Sequence, residues 1–266
     1  MSTASTSTGT SSGAATCNSG PLERILVWDL PTRVFHWSLA ASFAIAWLTA
    51  ESERLRNVHL VAGYSLLVLI AFRLVWGLAG TRYARFAAFV RGPAAVMRYL
   101  RSLGGRRPEH HVGHNPAGAL AIIALLVLGT MAGLSGWATY NDTIGGEWAE
   151  DLHEGVANGM LAVVLLHLAG VVVSSVLHRE NLVRAMITGR KAGDAADGIR
   201  TPHRLAGWLL AGLLAALWSV GLGDGPARLP GMELAPTAGA TDQTRTGESR
   251  EYREHRDAGE RGEQHH

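Results

Sequence analysis

The chain has 266 residues, of which 47% are apolar and 17% are charged, and its formal net charge is +2. Its apolar residues gather in five long runs, so the composition favours a protein embedded in a lipid bilayer over a water-soluble protein with a globular core. Cys17 is the only cysteine, which excludes disulfides within the chain, cysteine-held zinc sites and cofactors attached covalently through a CxxCH motif.

Low-complexity sequence marks the beginning of the chain, and charged sequence marks its end. Residues 1–24 are rich in Ser, Thr and Gly and lack the basic start and apolar middle of a signal peptide, so we predict a disordered cytoplasmic tail. Residues 224–266 mix Arg with Asp and Glu and contain few apolar residues, which predicts a second disordered tail.

The five apolar runs between these tails predict an all-α membrane protein. Each run reaches or approaches the roughly 20 residues that a spanning helix needs; the first is the shortest, and the fifth has the weakest support. We predict a four-transmembrane-helix bundle over residues 25–191, then a linker and a fifth transmembrane helix over residues 192–223. The runs cover residues 34–50, 58–79, 117–139, 155–177 and 204–222.

Arginines decide the predicted orientation. The loop between the second and third runs carries seven arginines, and the loop after the fourth carries four arginines and a lysine, whereas the loop after the third run is acidic. The positive-inside rule therefore places the N-terminus and both basic loops in the cytoplasm of a bacterial inner membrane. These charges lie in juxtamembrane loops without an interleaved aromatic surface, which excludes nucleic-acid binding.

Four histidines lie inside or at the mouths of the apolar runs, at two depths. His153 and His167 are 14 residues apart, nearly four helical turns, so they share one helix face at a separation of about 21 Å. With the N-terminus inside, His36 lies at the cytoplasmic end of the first helix and His59 at the outer end of the second. Depth therefore pairs His36 with His167 on the inner side and His59 with His153 on the outer side.

Paired histidines at membrane depth predict haem. An imidazole in hydrocarbon is costly and usually functional, and a neutral imidazole is an axial ligand of haem iron. A single histidine at a helix end is more often a water-facing residue, but two depth-matched pairs favour two bis-histidine haems b. Zinc or copper is the competing metal, yet pairs about 20 Å apart provide no tetrahedral shell.

Arg73 is the least expected residue of the second run. It follows His59 by 14 residues, which places it on the same helix face at the depth of the inner pair. A buried arginine is expensive unless it meets an anion, so we expect it to bind a haem propionate; snorkelling to the cytoplasmic surface is the alternative. Gly63, Gly159 and Gly170 lie near the histidines and suit either a flat cofactor or a helix-helix contact.

Other histidines have simpler interpretations. A solvated loop accounts for the cluster before the third run, where Asn115 and Pro116 suit a helix start. The histidine that opens the fifth run has no partner at its depth and is interpreted as interfacial. These residues are His110, His111, His114 and His203.

Several ordered motifs resemble one known family. They are VWDLPTRVFHW, NVHLVAGY, RLVWGLAGTRYARFAAFVRGPAAVMRYL, GHNPAGA, LHEGVANGMLAVVLLHLAG and HRENLVRAMITGRK, and together they cover about residues 25–191. This set resembles the prokaryotic cytochrome b561 family, which includes the b-type cytochrome subunits of nickel-iron hydrogenases. The resemblance implies a four-helix bundle with two haems b that passes electrons between quinone and a partner. Its ligand histidines correspond to His36, His59, His153 and His167.

The sequence thus predicts transmembrane electron transfer between the quinone pool and a redox partner, either a hydrogenase or a soluble cytochrome c. A rival is a stand-alone quinone-linked oxidoreductase acting on a small molecule such as superoxide, so the status as an enzyme stays open, as does a homodimer. A second rival, a transporter with histidine proton relays, is disfavoured because the runs contain no repeats and no intramembrane Asp or Glu.

Overall fold

The computed structural model describes residues 23–90, 92–103, 113, 116–141 and 147–223. Within this part the chain is mostly helical, with two short strands and two single 3-10 turns, Glu53–Leu55 and Ala195–Asp197. The strands are β1 (Glu23–Leu26) and β2 (Arg190–Gly193). The helices are α1 (Leu30–Thr49), α2 (Arg56–Ala79), α3 (Phe86–Phe89), α4 (Pro93–Leu103), α5 (Pro116–Tyr140), α6 (Glu147–Leu177), α7 (Leu182–Thr188) and α8 (Arg204–Leu222).

Four of the described helices are long and apolar enough to cross a membrane: α2 with its preceding turn, α5, α6 and α8. Each carries an apolar run that was expected from the sequence. The fifth run, which had the weakest sequence support, therefore meets the requirements for a span as α8. Helix α1 does not meet them, because its first turns contain Pro31, Thr32 and Arg33 and lower its apolar character.

Neighbouring long helices pack in chain order. Helix α1 lies along α2, α2 along α5, and α5 along α6, while α8 covers α1 and α2 from the other side. The apolar core of this bundle joins residues of α1, α2, α5 and α8, including Phe35, Leu69, Leu126 and Leu210. Helices α1 and α6 have little backbone contact with each other. Each helix in the series α1, α2, α5 and α6 therefore packs against the next one, while the first and last of them, α1 and α6, make little contact.

Helix α8 is fastened to α2 by a polar contact as well as by packing. The indole Nε1 of Trp218 donates a hydrogen bond of 3.0 Å to the Ser65 hydroxyl, which itself donates to the Val61 carbonyl at 2.8 Å. Ser65 is fully buried. Because a buried hydroxyl needs partners, this arrangement fixes the position of α8 along α2.

A two-stranded antiparallel sheet covers one end of the bundle. Strands β1 and β2 pair with Glu23 opposite Gly193 and Leu26 opposite Arg190. The Leu26 carbonyl also accepts a hydrogen bond from the Ile199 amide at 2.8 Å. We call this the sheet end. It changes two expectations, since the predicted disordered tail over residues 1–24 gives way to strand at Glu23, and the predicted linker contains part of β2 and a 3-10 turn.

Asp29 joins this sheet end to the helices. It is 1% exposed and caps α1, accepting a hydrogen bond from the Thr32 amide at 2.9 Å. Its second oxygen accepts from the Trp76 indole at 3.0 Å and from the Thr81 hydroxyl at 2.9 Å. A buried carboxylate is tolerated only with such partners, so Asp29 holds the start of α1 against the end of α2.

Candidate cofactor site

His59 of α2 and His153 of α6 face each other across the bundle. Their ring centroids are 6.2 Å apart, and the ring planes are inclined at 77°. Two imidazoles that bind one iron from opposite faces, each through a bond of about 2 Å, have centroids about 6 Å apart. The spacing of this pair therefore fits bis-histidine ligation of a haem iron.

Both rings of this pair are oriented by the backbone. Nδ1 of His59 lies 2.9 Å from the Ala46 carbonyl, and Nδ1 of His153 lies 2.9 Å from the Ala132 carbonyl, with the Ser135 hydroxyl 3.2 Å away. A carbonyl oxygen can only accept, so both Nδ1 atoms carry the proton. Each Nε2 consequently keeps its lone pair, which is the form that binds a metal.

His59 and His153 both line a cavity of about 320 Å³. Its volume lies within the range of about 300–1,000 Å³ that is typical of cofactor and small-molecule sites. The cavity is lined by the end of α1, the start of α2, the end of α5 and the start of α6, and Gly63 and Gly133 form part of its wall. A Cβ on Gly63 would meet no atom within 4 Å, so this glycine leaves open space one turn from His59.

Three glycines of α5 allow other helices to approach closely. A Cβ on Gly136 would lie 2.8 Å from Cε1 of His153, and a Cβ on Gly129 would lie 2.9 Å from the Ile70 side chain. Gly133 is similarly close to Leu67. The sequence analysis did not single out these residues; their spacing along one face of an apolar run was the available signal. Gly159 and Gly170, by contrast, have no atom within 4 Å of a built Cβ.

His36 of α1 and His167 of α6 form the second pair. The two imidazoles interact electrostatically, which indicates that they lie in the same region of the bundle. Nδ1 of His36 is buried and has no hydrogen-bond partner within the described residues. The second pair therefore lacks, at His36, the backbone acceptor that orients both rings of the first pair.

Arg73 is buried at the sheet end of α2 and is 3% exposed. Its guanidinium donates to the Ala84 carbonyl at 2.9 Å. Its central carbon lies 4.8 Å from the ring centroid of Phe86, 5.8 Å from that of Phe89 and 5.9 Å from that of Phe35. The side chain thus lies among three aromatic rings, and cation-π contacts stabilise its charge.

The remaining histidines divide into two groups. His203 precedes α8 in a left-handed conformation with φ 45°, and its ring meets the Trp76 indole edge-on at 5.4 Å. Its Nε2 lies 3.2 Å from the Thr201 hydroxyl. Among the described residues, no group of three or more His, Cys, Asp or Glu side chains could hold a metal ion. His110, His111, His114 and the proposed cap Asn115 lie outside the described residues.

A mostly helical membrane bundle with an oriented, metal-competent histidine pair defines a class of membrane cytochrome. The model of the prokaryotic cytochrome b561 family matches residues 27–189, and the chain belongs to that family. Membership of this family supports a function in membrane electron transfer with haem b. The resemblance found in the sequence is therefore confirmed, together with the predicted helical fold.

Curated relatives agree with this assignment. The chain is 24% identical over 211 residues to the probable Ni/Fe-hydrogenase B-type cytochrome subunit of Azotobacter chroococcum, covering 62% of this chain and 87% of the relative. It is 23% identical over 227 residues to the protein of that name from Cupriavidus necator, covering 68% and 92%. No solved structure matches the chain.

Proposed function

We propose that this protein carries electrons across the membrane through two haems b, one held by His59 and His153 and the other by His36 and His167. The observation that carries this proposal is the first pair, whose imidazoles are 6.2 Å apart and both present Nε2. Haem bound there supplies one-electron chemistry at the iron. The protein supplies ligands, orientation and a low-dielectric shell.

Helix α6 supports an electron path because it carries one histidine of each pair. His153 and His167 are separated by 14 residues, which is about 21 Å along a helix axis. This spacing supports a proposal with one site near each membrane surface. We propose that the His59–His153 pair is the outer site and that the His36–His167 pair is the inner site of a bacterial inner membrane with the N-terminus in the cytoplasm.

Charge around the two ends supports this orientation. The end that carries His59 and His153 has exposed acidic residues at the start of α6, among them Glu150 and Asp151, while the segment before α2 is mixed and contains Glu51 and Arg54. The sheet end carries arginines in the segments that flank it, including Arg82 and Arg184. Basic segments remain on the cytoplasmic side during insertion, so the sheet end is assigned to the cytoplasm.

The inner site is proposed to include Arg73 as a nearby positive charge. Its guanidinium lies over the ring of Phe35, the neighbour of His36. A buried cation on this part of α2 would stabilise the reduced iron of a haem at the inner site in a low-dielectric setting. Arg73 is therefore proposed as a residue that sets the potential of the inner haem.

The redox partners are proposed from the relatives and from the site. Two relatives are named as hydrogenase cytochrome subunits, and we propose a similar partner, a hydrogenase or a soluble cytochrome c, at the outer site. Quinone is proposed as the membrane-soluble carrier that exchanges electrons with the protein. Both proposals require haem in each site, since only a continuous path joins the two.

Haem content tests this proposal most directly. The purified protein should contain about two noncovalent haems b per chain, both low-spin, by pyridine haemochrome assay and visible spectroscopy. Gly63→Leu should reduce loading of the outer site, because the new side chain would fill cavity space that no protein atom occupies. Gly212→Leu is the matched control, since Gly212 also has open space around a built Cβ but lies on α8.

Transmembrane transfer is tested in liposomes. Vesicles that contain the protein and enclose ferricyanide should reduce it when an impermeant donor is added outside, and His167→Ala should abolish that reduction. Adding quinol to the purified protein should reduce its haems if quinone is the carrier. One haem per chain, or ferricyanide reduction that survives His167→Ala, would contradict the two-site path.

A further inference from the structure

Three buried polar atoms without a partner fall on one turn of α1. They are the Thr32 hydroxyl, Nε of Arg33 and Nδ1 of His36, and none has a hydrogen-bond partner within the described part of the chain. Buried polar atoms are nearly always satisfied, so three exceptions in five residues need a common explanation. A polar ligand at this turn would provide one.

The three residues share one side of the helix. At about 100° per residue, His36 lies between Thr32 and Arg33 around the axis of α1. Thr32 and Arg33 lie about 5 Å from His36 along the axis, towards the sheet end. Nε of Arg33 can only donate a hydrogen bond, and the Thr32 hydroxyl can also donate. One ligand with acceptor atoms would therefore satisfy both groups. An anionic carboxylate satisfies both and binds arginine most strongly.

Arg73 differs from Arg33 in this respect. The Arg73 guanidinium already donates to the Ala84 carbonyl at 2.9 Å and contacts three aromatic rings. Arg33 has one long bond, from Nη1 to the Thr188 carbonyl at 3.4 Å, while its Nε has no acceptor. The long bond holds the side chain at the sheet end of α1. The unsatisfied donor therefore belongs to Arg33, although Arg73 is the more deeply buried cation.

We propose that Arg33 and Thr32 bind a propionate carboxylate of the inner haem, with Nε of Arg33 and the Thr32 hydroxyl as donors. This inference rests on the proposed function, because it requires haem at the His36–His167 pair. It assigns the direct carboxylate contact to Arg33 and leaves Arg73 as a charge that acts at a distance. Both arginines contribute to the potential, but of the two only Arg33 binds the carboxylate.

The test compares Arg33→Gln, Arg33→Lys and Arg73→Gln in the full-length protein, purified with its haems. Removing the Arg33 charge leaves the carboxylate negative charge uncompensated, so the inner haem becomes harder to reduce. We expect Arg33→Gln to lower its ratio of reduced to oxidised iron about tenfold at fixed potential, equal to about 59 mV downward. Arg33→Lys should recover most of this change, and the outer haem should not shift.

A pH series separates carboxylate binding from a merely structural role. Without the Arg33 cation, the propionate pKa rises, and it rises further when the iron is reduced. Reduction then takes up a proton, so the inner midpoint potential of Arg33→Gln should fall as pH increases, whereas that of Arg73→Gln should follow the wild-type profile. A structural change at α1 would not produce this proton coupling.

Each outcome decides between the alternatives. An unshifted inner haem in Arg33→Gln, or proton coupling in Arg73→Gln instead, overturns the assignment to Arg33. If Arg33→Gln does not retain its inner haem, Thr32→Val removes only the hydroxyl and should lower the reduction ratio about threefold, a loss near 0.6 kcal/mol. No shift in that variant also overturns the inference. Fewer than two haems in the wild-type protein would instead refute the proposed function.

Discussion

The two histidine pairs share α6 but differ in how the protein prepares them. At the His59–His153 pair, each Nδ1 has a backbone carbonyl 2.9 Å away, and both residues line one cavity. At the His36–His167 pair, Nδ1 of His36 and two neighbouring polar atoms have no partner among the described residues. The first pair is oriented by the chain alone. The second pair lies among groups that the chain does not satisfy by itself.

Helix α6 thus contributes a histidine to two sites that differ in how their ligands are oriented. Ligands fixed by backbone carbonyls are pre-organised, so binding costs little further ordering. Ligands beside unsatisfied donors gain more from a cofactor that brings its own acceptors, because burial without a partner is expensive. We therefore expect haem affinity at the outer site to depend mainly on the orientation of the two imidazoles. At the inner site we expect it to depend mainly on the charged and polar groups around the haem.

Removing one ligand should have the largest effect. His59→Ala or His153→Ala should remove the outer haem only, and His36→Ala or His167→Ala the inner haem only, because each pair would share one iron. Haem content should fall from about two to about one per chain in all four variants. The reduced spectra should form two classes. If His36→Ala and His59→Ala gave the same spectrum, the assignment of these histidines to different haem sites would be wrong.

Displacing a ligand without removing it should have the next largest effect. Gly136→Ala places a methyl group 2.8 Å from Cε1 of His153, so the ring must shift from the position that its bond to the Ala132 carbonyl defines. Loss of such orientation costs about 10–100-fold in affinity, here for the outer haem only. Titration of haem into the depleted protein measures this. Gly155→Ala is the matched control on α6, where a Cβ meets no atom within 4 Å.

Charge removal near the inner site should have a smaller effect. Arg73→Gln removes a cation that lies over Phe35, beside His36. The Arg73 charge acts on the inner iron at a distance, so its loss should lower the inner potential by an amount on the order of tens of millivolts. Potentiometric titration resolves the two haems. An equal shift in both would mean that Arg73 does not distinguish the inner site from the outer site.

The smallest effect is expected at a contact that involves none of the four histidines. Trp218→Phe removes the hydrogen bond to Ser65 and leaves the aromatic packing of α8. Hydrogen bonds between membrane helices average about 0.6 kcal/mol, so thermal unfolding should shift slightly while both haem spectra stay unchanged. A spectral change at either haem would show that α8 supports a site directly.

Much of the fold could be predicted because apolar runs determine membrane helices. Four runs became helices that meet the requirements for a span, and His59 and His153, one of the two pairs matched by depth, lie near each other. The carbonyls of Ala46 and Ala132 could not be predicted, since every residue has a carbonyl and only the packed helices select these two. The four-residue strands were missed because their pairing joins segments more than 160 residues apart.

The candidate site illustrates the same limit. Arg73 attracted attention because an arginine inside an apolar run is costly, whereas Arg33 lies in an ordinary polar helix start. The buried, unpartnered Nε that distinguishes Arg33 is a property of three-dimensional packing. Gly136 likewise becomes informative only when the ring of His153 is seen against it.

The pairing of β1 with β2 has a consequence for biosynthesis. Residues Glu23–Leu26 leave the ribosome early, but their partners, Arg190–Gly193, follow only after α1, α2, α5 and α6 have been made. The sheet therefore cannot form during insertion of the first helices, and β1 stays unpaired until β2 has been made. Closure of this sheet follows the synthesis of all four histidines that are proposed as haem ligands.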